Sequence, residues 1–497
     1  MNDNELNVIA HAEDVTLYWA KPADADAETT YRVTFDSETR TVPSTHASFD
    51  GLGPETEHQV TVEYGEGDAA RTLHTATVRT TAAKKAIDVS AAPYNAVGDG
   101  VTLNTTAIQR ALDDCDASSY VYVPEGTFLT GSLRMHSDSE LVVDGVLQGT
   151  ANPDDYMPFI HSRFEGTELD TYSALINIGE LDRNAGVTTS NVIIRGKGTI
   201  YSGGRELMTA VIAAQKIRMA DELAAMADYI ATCEKPDTIP GRVRPRLVNM
   251  SNAGNVELTG VTFGYGASWN LHMIYSKGIV THDLVIESHD VWNGDGWDPD
   301  SSEDCTLFGC HFKTGDDMVA IKSGKNPEGN EVNRPTKHVR VFDCKSDAGH
   351  AIAVGSEMSG GVEDVAIWDC DIRNCTWGME VKATPKRGGY VRNVSVRDVT
   401  MPAVVIHAVP YNDDGVPGPD QPYFEDFTFE RVHIAGRQFE GDEHATHAIE
   451  VVGFEKPGHE ARNISFKDVT MSGCDADYGT VRLDHCQNVT FENLRAI

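Results

Sequence analysis

The sequence predicts an all-β protein, a right-handed parallel β-helix (a solenoid) preceded by a small β-sandwich domain. From Val256 onward, a short pattern of alternating apolar and polar residues returns at intervals of roughly 23 to 37 residues. The first 80 or so residues instead carry separate alternating runs with turn residues between them. A solenoid also suits the chain length of 497 residues, because it grows along one axis without enlarging its cross-section.

The N-terminal segment is predicted to be an independent sandwich because its alternating runs are short and separated by polar or Gly/Pro turns. These runs are Val15–Trp19, Tyr31–Phe35 and Val60–Tyr64. Trp19 together with the turn Leu52–Thr56 resembles the fibronectin type III domain, a seven-stranded sandwich, although His58 stands where that family usually has Tyr. The predicted domains are residues 1–82 and 83–497.

The remainder is predicted to be a stack of coils, one coil for each repeat. The repeat is clearest at Asn255–Phe263, and a weaker copy begins near Val192. Its anchor positions are Val256, Ile279, Cys305, Val339, Val365, Val394, Phe427, Ile464 and Val489. A period of two indicates strands, which stacked coils pair in parallel about 4.8 Å apart. We expect the Asn and Asp residues at the turns to form hydrogen-bonded ladders, and an Ala-, Met- and Leu-rich helical insertion near 203–235.

Composition excludes several classes of partner. The net charge is −35, from 76 acidic and 41 basic residues, and such a surface repels nucleic acid and anionic membranes. No apolar run approaches the roughly 18 residues that span a bilayer. Acidic residues at Met1–Glu5 do not suit a secretory signal. Nine cysteines without a close CxxC pair argue against a zinc site and a disulfide framework. We therefore expect a cytoplasmic protein with no nucleic-acid or membrane partner.

Acidic residues concentrate in two segments, Trp292–Ser302 and Thr314–Gly324. The step from Asp295 to Asp317, the step on to His350 and the step from there to Lys382 are each close to one repeat. The four residues are therefore expected to stack on one face of successive coils. Carboxylates held that close cannot all ionise normally, which provides the acid and the base that glycosidic hydrolysis requires. A calcium site or an exposed acidic ladder is the alternative.

These motifs resemble the polygalacturonase family, glycoside hydrolase family 28, from about Tyr94 to the C-terminus. The N-terminal segments that carry the resemblance are Tyr94–Gly100, Thr106–Gln109 and Val121–Phe128. The family's Asn-Thr-Asp, Gly-Asp-Asp and Gly-His-Gly motifs match residues 293–295, 315–317 and 349–351. The resemblance implies that Asp316 is the general acid, that Asp295 and Asp317 activate water, and that His350 tunes the acid. It also implies inversion of the anomeric centre, and neither cofactor nor metal.

The chain departs from the family where substrate is held. The family's Arg-Ile-Lys motif is Glu380-Val381-Lys382 here, so an anion replaces the Arg that pairs with a uronate carboxylate. Glu380 would accept hydrogen bonds from sugar hydroxyls, or it could pair structurally with Lys382. Ala351 puts a methyl group where the family has Gly. Further candidate substrate contacts are Asn293, Trp297, Lys322 and Arg387, and Trp269, Trp292 and Trp377 are either sugar-stacking or buried residues.

The sequence therefore predicts an inverting, exo-acting glycoside hydrolase that releases a terminal sugar, galacturonic acid or a related one, from pectin-derived oligosaccharides. Exo action rests on the insertion and on a resemblance of Gly355–Val362 to exo-acting members. The first alternative, suggested by Glu380, is release of a neutral sugar from a plant glycoside or rhamnogalacturonan fragment. Two others are a calcium-dependent pectate lyase and a non-catalytic carbohydrate-binding β-helix. The oligomeric state stays open.

Overall fold

A computed structural model describes residues 1–65, 70–233, 235–410, 415–436, 445–473 and 479–497. Its internal contacts divide the chain into two units, residues 1–86 with 117–120, and residues 87–116 with 121–497. The sequence places this boundary slightly earlier, at residue 82.

The N-terminal unit is a sandwich of two antiparallel sheets. One sheet contains the strands Asn7–Ala10, Asp14–Tyr18 and His46–Asp50, and the other contains Tyr31–Phe35, Glu38–Val42, Glu57–Tyr64 and Arg71–Arg79. Alternation in the strands Tyr31–Phe35 and His46–Asp50 places one face of each inside, where Phe35 stacks on Phe49 with ring centroids 4.4 Å apart. The edge of Trp19 packs on Tyr31. Seven strands fit the fibronectin type III resemblance, and that assignment stays a prediction.

The larger unit is a parallel β-helix, as the sequence predicts, with three long sheets. Sheet A has the strands Lys85–Asp88, Ser119–Val123, Glu140–Val143, Thr189–Gly196, Ala253–Thr259, Lys277–His282, Glu303–Phe308, Thr336–Phe342, Val362–Trp368, Tyr390–Arg397, Tyr423–Glu430, Ala461–Lys467 and Cys486–Glu492. Sheet B has Leu133–Met135, Ile176–Ile178, Val248–Ser251, Leu271–Ile274, Trp297–Asp300, Val319–Ile321, Ala351–Gly355, Gly378–Ala383, Val404–Ala408, His447–Val452 and Gly479–Asp484. Sheet C has Asp99–Leu103, Thr127–Thr130, Val146–Gly149, Thr199–Tyr201, Thr262–Gly264, Val285–Glu287, His311–Lys313 and Lys345–Ser346, and a four-stranded sheet follows it with Thr400–Met401, His433–Ile434, Thr470–Met471 and Arg495–Ala496.

The predicted repeat is confirmed in sheet A. The anchor positions, from Val192 to Val489, are register partners of one another on successive strands. The residue before the anchor is often Asn or Asp with positive φ, such as Asn255 at 51°, which these short polar side chains tolerate. Asn255 donates to Asn191 at 2.7 Å and Asn488 donates to Asn463 at 2.9 Å, so parts of the expected ladder are present.

The coil interior is a continuous apolar column. On sheet A two of its rings stack from one coil to the next: Phe429 lies on Phe466, with centroids 4.9 Å apart. Most of the described cysteines are buried, and none of these eight forms a disulfide with another described cysteine. Cys474 lies outside the described residues.

Helices lie at the ends and edges of the coils. They are Thr105–Asp113, Gly204–Arg218, Ala220–Ala225, Ala227–Ile230, Thr238–Gly241 and Glu328–Val332, with a 3-10 turn at Pro153–Tyr156. Four of them occupy the segment around the predicted insertion, of which residue 234 lies outside the described part. The first of these four buries Leu207, Val211 and neighbouring apolar residues. A hairpin, Ile160–Phe164 with Thr167–Thr171, is a second insertion. None of the described helices is long and apolar enough to cross a membrane.

Candidate active site

The acidic segments enter adjacent strands of sheet B. Register pairs Trp297 with Val319 and Val319 with Ile352, so the steps from Asp295 to Asp317 and from there to His350 each correspond to one coil. The third step differs from the prediction. Gly355 pairs with Lys382, so Lys382 lies farther along its strand than His350 does. The four residues therefore come from four successive coils, as predicted, but Lys382 is displaced along its strand relative to the other three.

His350 links two of the carboxylates. Its Nδ1 atom lies 3.1 Å from Asp316 Oδ1 and 3.4 Å from Asp317 Oδ1. Burial opposes charge on His350, but the hydrogen bonds and charges of the two aspartates outweigh it and raise the pKa of His350 to about 11. Burial likewise opposes charge on Asp316, and His350 overcomes it and lowers the pKa of Asp316 to about 2. The imidazolium and the Asp316 carboxylate thus hold one proton between them.

Asp295 has a different environment. It is buried, and its Oδ2 atom lies 3.0 Å from the ammonium group of Lys322, which also reaches Asp298 at 3.3 Å. Burial is the largest cause that raises the pKa of Asp295 well above its ordinary value; Lys322 opposes this shift, and the nearby aspartates add to it. Burial also raises the pKa of Asp298 to about 7. Among the charged groups, Lys322 has the largest effect on the pKa values of both carboxylates. Its ammonium group lies 3.7 Å from the ring centroid of Trp269.

The backbone around His350 is tightly constrained. Gly349 has φ of 95°, and a Cβ atom there would collide with the Thr314 hydroxyl and the Asp316 carbonyl oxygen, so only glycine fits. Ala351 has φ of 81°, which strains an alanine. The family's Gly at this position would carry no such strain.

Two of the predicted substrate contacts need correction. Trp297 is fully buried in the coil interior, where its Nε1 atom donates to Thr281 at 3.1 Å, so it cannot contact a sugar. The run Trp297–Asp300 is buried on both faces, so its sequence does not distinguish inward from outward residues. Glu380 is also buried, and its carboxylate binds Lys382 at 2.8 Å and His407 at 2.9 Å. The structural pairing with Lys382, left open by the sequence, is the arrangement observed.

A cavity of about 420 Å³ contains most of the other predicted residues. Asp295, Asp316, Asp317, His350, Asn293, Lys322, Lys382, Arg387 and Trp269 line it. On the insertion side it is lined by Tyr229, Cys233, Lys235, Thr238, Ile239 and Arg242. Glu380, Trp297 and Trp377 are not among its lining residues, and Trp292 is 43% exposed outside it.

The cavity lining is rich in cations, although the protein has a net charge of −35. Six Lys and Arg side chains line it, against five Asp and Glu. The cations are Lys235, Arg242, Lys322, Lys325, Lys382 and Arg387, and the anions are Glu165, Asp295, Asp316, Asp317 and Glu357. Apart from the three carboxylates of the site, this lining, the cationic wall, has more cations than anions. Arg242, Lys322 and Lys382 already pair with Glu165, Asp295 and Glu380, so an anionic ligand shares these cations with the protein's own carboxylates.

Arg244 is a buried residue that the sequence did not single out. It is 1% exposed, and its guanidinium donates to Asn293 Oδ1 at 2.7 Å and to the Trp292 carbonyl oxygen at 2.9 Å. It also donates to the carbonyl oxygen of Gly241, at the end of the insertion. Arg244 therefore fixes the loop that carries Asn293 and Asp295. Its only signal in the sequence was its place just after the insertion.

Two clusters in the described part of the chain have the composition of a metal site. Asp316, Asp317 and His350 place ligand atoms within 4.8 Å of one another, as do Glu303, Asp304 and His338. In the first cluster Asp316 and Asp317 raise the pKa of His350, which favours its protonated form, and a protonated imidazole does not ligate. In the second, which lies on sheet A outside the cavity, Lys277 pairs with both carboxylates. Neither arrangement favours a metal.

Comparisons with known proteins agree with this geometry. The family model described as "Glycosyl hydrolases family 28" matches residues 117–495. An exo-poly-alpha-D-galacturonosidase of Dickeya chrysanthemi is 27% identical over 91% of this chain and 78% of that protein. A probable polygalacturonase of Vitis vinifera is 30% identical over 64% of this chain and 61% of its own length.

Solved structures give the same fold. A family 28 exopolygalacturonase of Yersinia enterocolitica superposes with a TM-score of 0.81, covering 99% of this chain and 96% of that one at 22% identity. An exopolygalacturonase of Thermotoga maritima gives a TM-score of 0.67 at 26% identity, covering 83% and 91%. The family model spans most of the chain, and the motif residues meet in one cavity. The chain therefore belongs to family 28 of the glycosyl hydrolases, and it is a glycoside hydrolase.

Proposed function

We propose that this protein is an exo-acting hydrolase that releases terminal galacturonic acid from pectin-derived oligogalacturonides with inversion at the anomeric carbon. The observation that carries the proposal is the cavity itself. It combines the carboxylates with a cationic wall, and the insertion lines one side of it. A chain end with a uronate carboxylate fits such a site by charge.

The proposed chemistry uses the two kinds of carboxylate environment. The Asp316–His350 pair holds the proton that Asp316 delivers to the leaving glycosidic oxygen, so the proton belongs to the pair rather than to one residue. A water molecule attacks the anomeric carbon from the opposite face, and Asp317, with Asp295 beside it, takes the water proton. The bond from the anomeric carbon to the leaving oxygen breaks as the bond to the water oxygen forms. Asp317 then releases its proton to solvent, and the Asp316–His350 pair regains one from solvent.

Relatives support the same substrate class. The Dickeya relative is an exo-poly-alpha-D-galacturonosidase, and the Thermotoga structure is an exopolygalacturonase above 25% identity. The neutral-sugar alternative rested on Glu380, whose carboxylate is engaged by Lys382 and His407 outside the cavity lining. Neither the lyase nor the binding-protein alternative gains support from the comparisons. We also propose a cytoplasmic location, in keeping with the burial of most described cysteines as free thiols.

The test is to incubate the protein with galacturonate oligomers labelled at the reducing end, rhamnogalacturonan fragments and neutral plant glycosides, with Asp316→Asn as the control. We expect single galacturonate residues from the unlabelled end, initially of inverted anomeric configuration by proton NMR. The general-acid variant should lose about 10²- to 10⁴-fold in turnover. Internal cleavage, a retained configuration or activity only on neutral glycosides would each contradict the corresponding part of the proposal.

A further inference from the structure

We propose that Glu380 and His407 are positioning residues for the hydrolysis, which hold the Lys382 ammonium group beside Asp317 without touching the substrate. This inference rests on the proposed function, in which Asp317 takes the proton of the attacking water. It assigns a role to the residue that departs from the family motif and to a histidine that the motif does not contain.

The contacts form a line of alternating charge along the outer face of sheet B. Lys382 Nζ lies 2.8 Å from Glu380 Oε2 and 3.8 Å from Asp317 Oδ2. On the next strand, His407 Nε2 lies 2.9 Å from Glu380 Oε1. The line continues from His407 Nδ1 to Glu450 Oε1 at 3.5 Å. Carboxylate, ammonium, carboxylate, imidazole and carboxylate thus follow one another, with Lys382 and Glu380 on one strand of sheet B and His407 and Glu450 on the next two.

The charged groups nearest the cavity are buried, whereas the last one in the line is exposed to solvent. The Glu380, Lys382 and His407 side chains are 7%, 13% and 14% exposed, whereas Arg482, which approaches Glu450 at the far end, is 49% exposed. An ion pair that is mostly enclosed loses little to solvent screening, and removal of one partner leaves a buried charge unpaired. The contacts of Glu380 therefore determine where the ammonium group lies.

His407 provides the charge that compensates for a Glu in place of the family's Arg. With Glu380 present, two cations, Lys382 and His407, flank one anion. An Arg at position 380 would instead place a third cation between them. A Glu in place of the family's Arg therefore suits the charges around position 380. The next strand of sheet B supplies His407, which is the register partner of Lys382.

Glu380 and Glu450 favour the charged form of His407, whereas burial opposes it. Glu380 and Lys382 face it from the preceding strand, Glu450 and His447 lie on the following strand, and the Trp377 ring is 6.1 Å away. Burial lowers the pKa of His407, but the two glutamates outweigh it, so the net shift is upward. Burial opposes the charge on Glu380 too, yet Lys382 and His407 lower its pKa to about 2.

The consequence for catalysis follows from the two distances of Lys382. While Glu380 holds the ammonium group at 2.8 Å, its contact with Asp317 is longer, at 3.8 Å, and the Asp317 carboxylate stays available to a water molecule. If Glu380 lost its charge, the ammonium group would lose its partner at 2.8 Å and would be drawn closer to Asp317. A carboxylate in a close ion pair is a poorer proton acceptor, so turnover would fall while substrate binding changed little.

The experiment compares Glu380→Gln, His407→Gln and the double variant with Glu140→Gln. Glu140 is a matched control because it is a buried glutamate paired with a cation, Arg195, on sheet A. We expect each single change to lower kcat on trigalacturonate about tenfold with KM within about threefold, since only the transition state is affected. The double variant should be no worse than Glu380→Gln, because the residues act as one unit. Glu140→Gln should lower Tm and leave kcat unchanged.

The pH dependence gives a readout that a purely structural role would not move. The raised pKa of His407 means that its charge is complete below about pH 6.5 and is lost as the pH rises through the raised value. The kcat profiles of the wild type and His407→Gln should therefore differ at low pH and converge at high pH. An unchanged kcat in both single variants, a rise in KM alone, or faster galacturonan hydrolysis by Glu380→Arg would overturn the inference.

A stability measurement separates this inference from the proposed function. If the wild type released no galacturonate, the proposed substrate would be wrong, and the contacts would be judged by Tm values of Glu380→Gln, Lys382→Met and the double variant. Non-additive Tm shifts would support the pairing and additive shifts would overturn it. Turnover would then be measured on whichever glycoside the wild type hydrolyses.

Discussion

At the scale of single residues, the charged partner of each aspartate influences whether it holds or gives up a proton. Asp316 and Asp295 are both carboxylates of the cavity, but one contacts an imidazolium and the other a lysine that it shares with Asp298. The pKa of Asp316 falls, whereas burial raises the pKa of Asp295 against the opposing effect of its lysine. The surroundings of these two aspartates, which lie on neighbouring coils, thus shift their pKa values in opposite directions.

His350→Gln is the sharpest test of this division. The depressed pKa of Asp316 contributes stability above its ordinary value near pH 3.8, and this is lost as the pH falls towards 2. The raised pKa of His350 contributes stability below its ordinary value near pH 6.5, and this is lost as the pH rises towards 11. We therefore expect the Tm difference between wild type and variant to be largest between about pH 4 and 6.5. Turnover should fall about 10²- to 10³-fold.

His338→Gln is the matched control for this prediction, because His338 also contacts an aspartate, Asp304 at 3.1 Å, but lies on sheet A outside the cavity. It should leave kcat unchanged. A His350→Gln protein that kept kcat within about threefold of the wild type, well below the usual effect of a proton-transfer residue, would show that Asp316 does not depend on His350.

Predictions for these residues were limited because some of their contacts are with residues that are distant in the sequence. Asp295, Asp317 and His350 were placed correctly because the repeat spacing equals the coil length there. For Glu380 the pairing with Lys382 was only one of two interpretations, because its second partner, His407, comes from the next coil and no motif marks it. Arg244 was missed because an arginine that binds carbonyl and amide oxygens leaves no charge pattern in the sequence.

At the scale of elements, the coil repeat was readable in sheet A and less so in sheet B. The alternating strands of sheet A bury one face, so every anchor from Val192 to Val489 could be aligned from its apolar side chain. Sheet B strands near the cavity, such as Trp297–Asp300, are buried on both faces. Without alternation the register is not specified by the sequence, which explains the error at Trp297 and the displacement of Lys382 along its strand.

The tip of the helical insertion gives a prediction at this scale. The helices Ala220–Ala225 and Ala227–Ile230 bury no side chain, yet Tyr229 and Cys233 line the cavity. Replacing residues 220–235 with about six Gly and Ser residues, a flexible linker, should open that side. We expect longer products and a faster loss of polygalacturonate viscosity, with little change in stability because the two tip helices contain no buried residue.

Met226→Ala is the control for the tip replacement, because Met226 is exposed in the same tip and does not line the cavity. It should release single sugars as the wild type does. If the shortened protein also released only single sugars, the tip would not be what restricts cleavage to chain ends, and the restriction would lie elsewhere in the cavity wall.

At the scale of the whole molecule, the overall charge and the charge of the cavity wall oppose each other. The net charge of −35 repels a polyanion at long range. The six Lys and Arg side chains of the cavity act only at short range on a sugar that has already entered. A short oligogalacturonide carries little charge outside the cavity, whereas a long polymer leaves most of its charge facing the acidic surface. The molecule should therefore prefer short substrates.

Ionic strength tests this preference. Raising the salt from about 0.01 M to about 0.1 M shortens the Debye length from about 30 Å to about 10 Å, which screens the surface more than the enclosed cavity. We expect KM for long polygalacturonate to fall about threefold, a modest effect for electrostatic steering. KM for the trimer should stay constant or rise, because its main contacts are with the cavity cations. A KM that rises with salt for both substrates would mean that attraction by the cationic wall outweighs surface repulsion even at long range, and the preference for short chains would then have to come from the shape of the cavity.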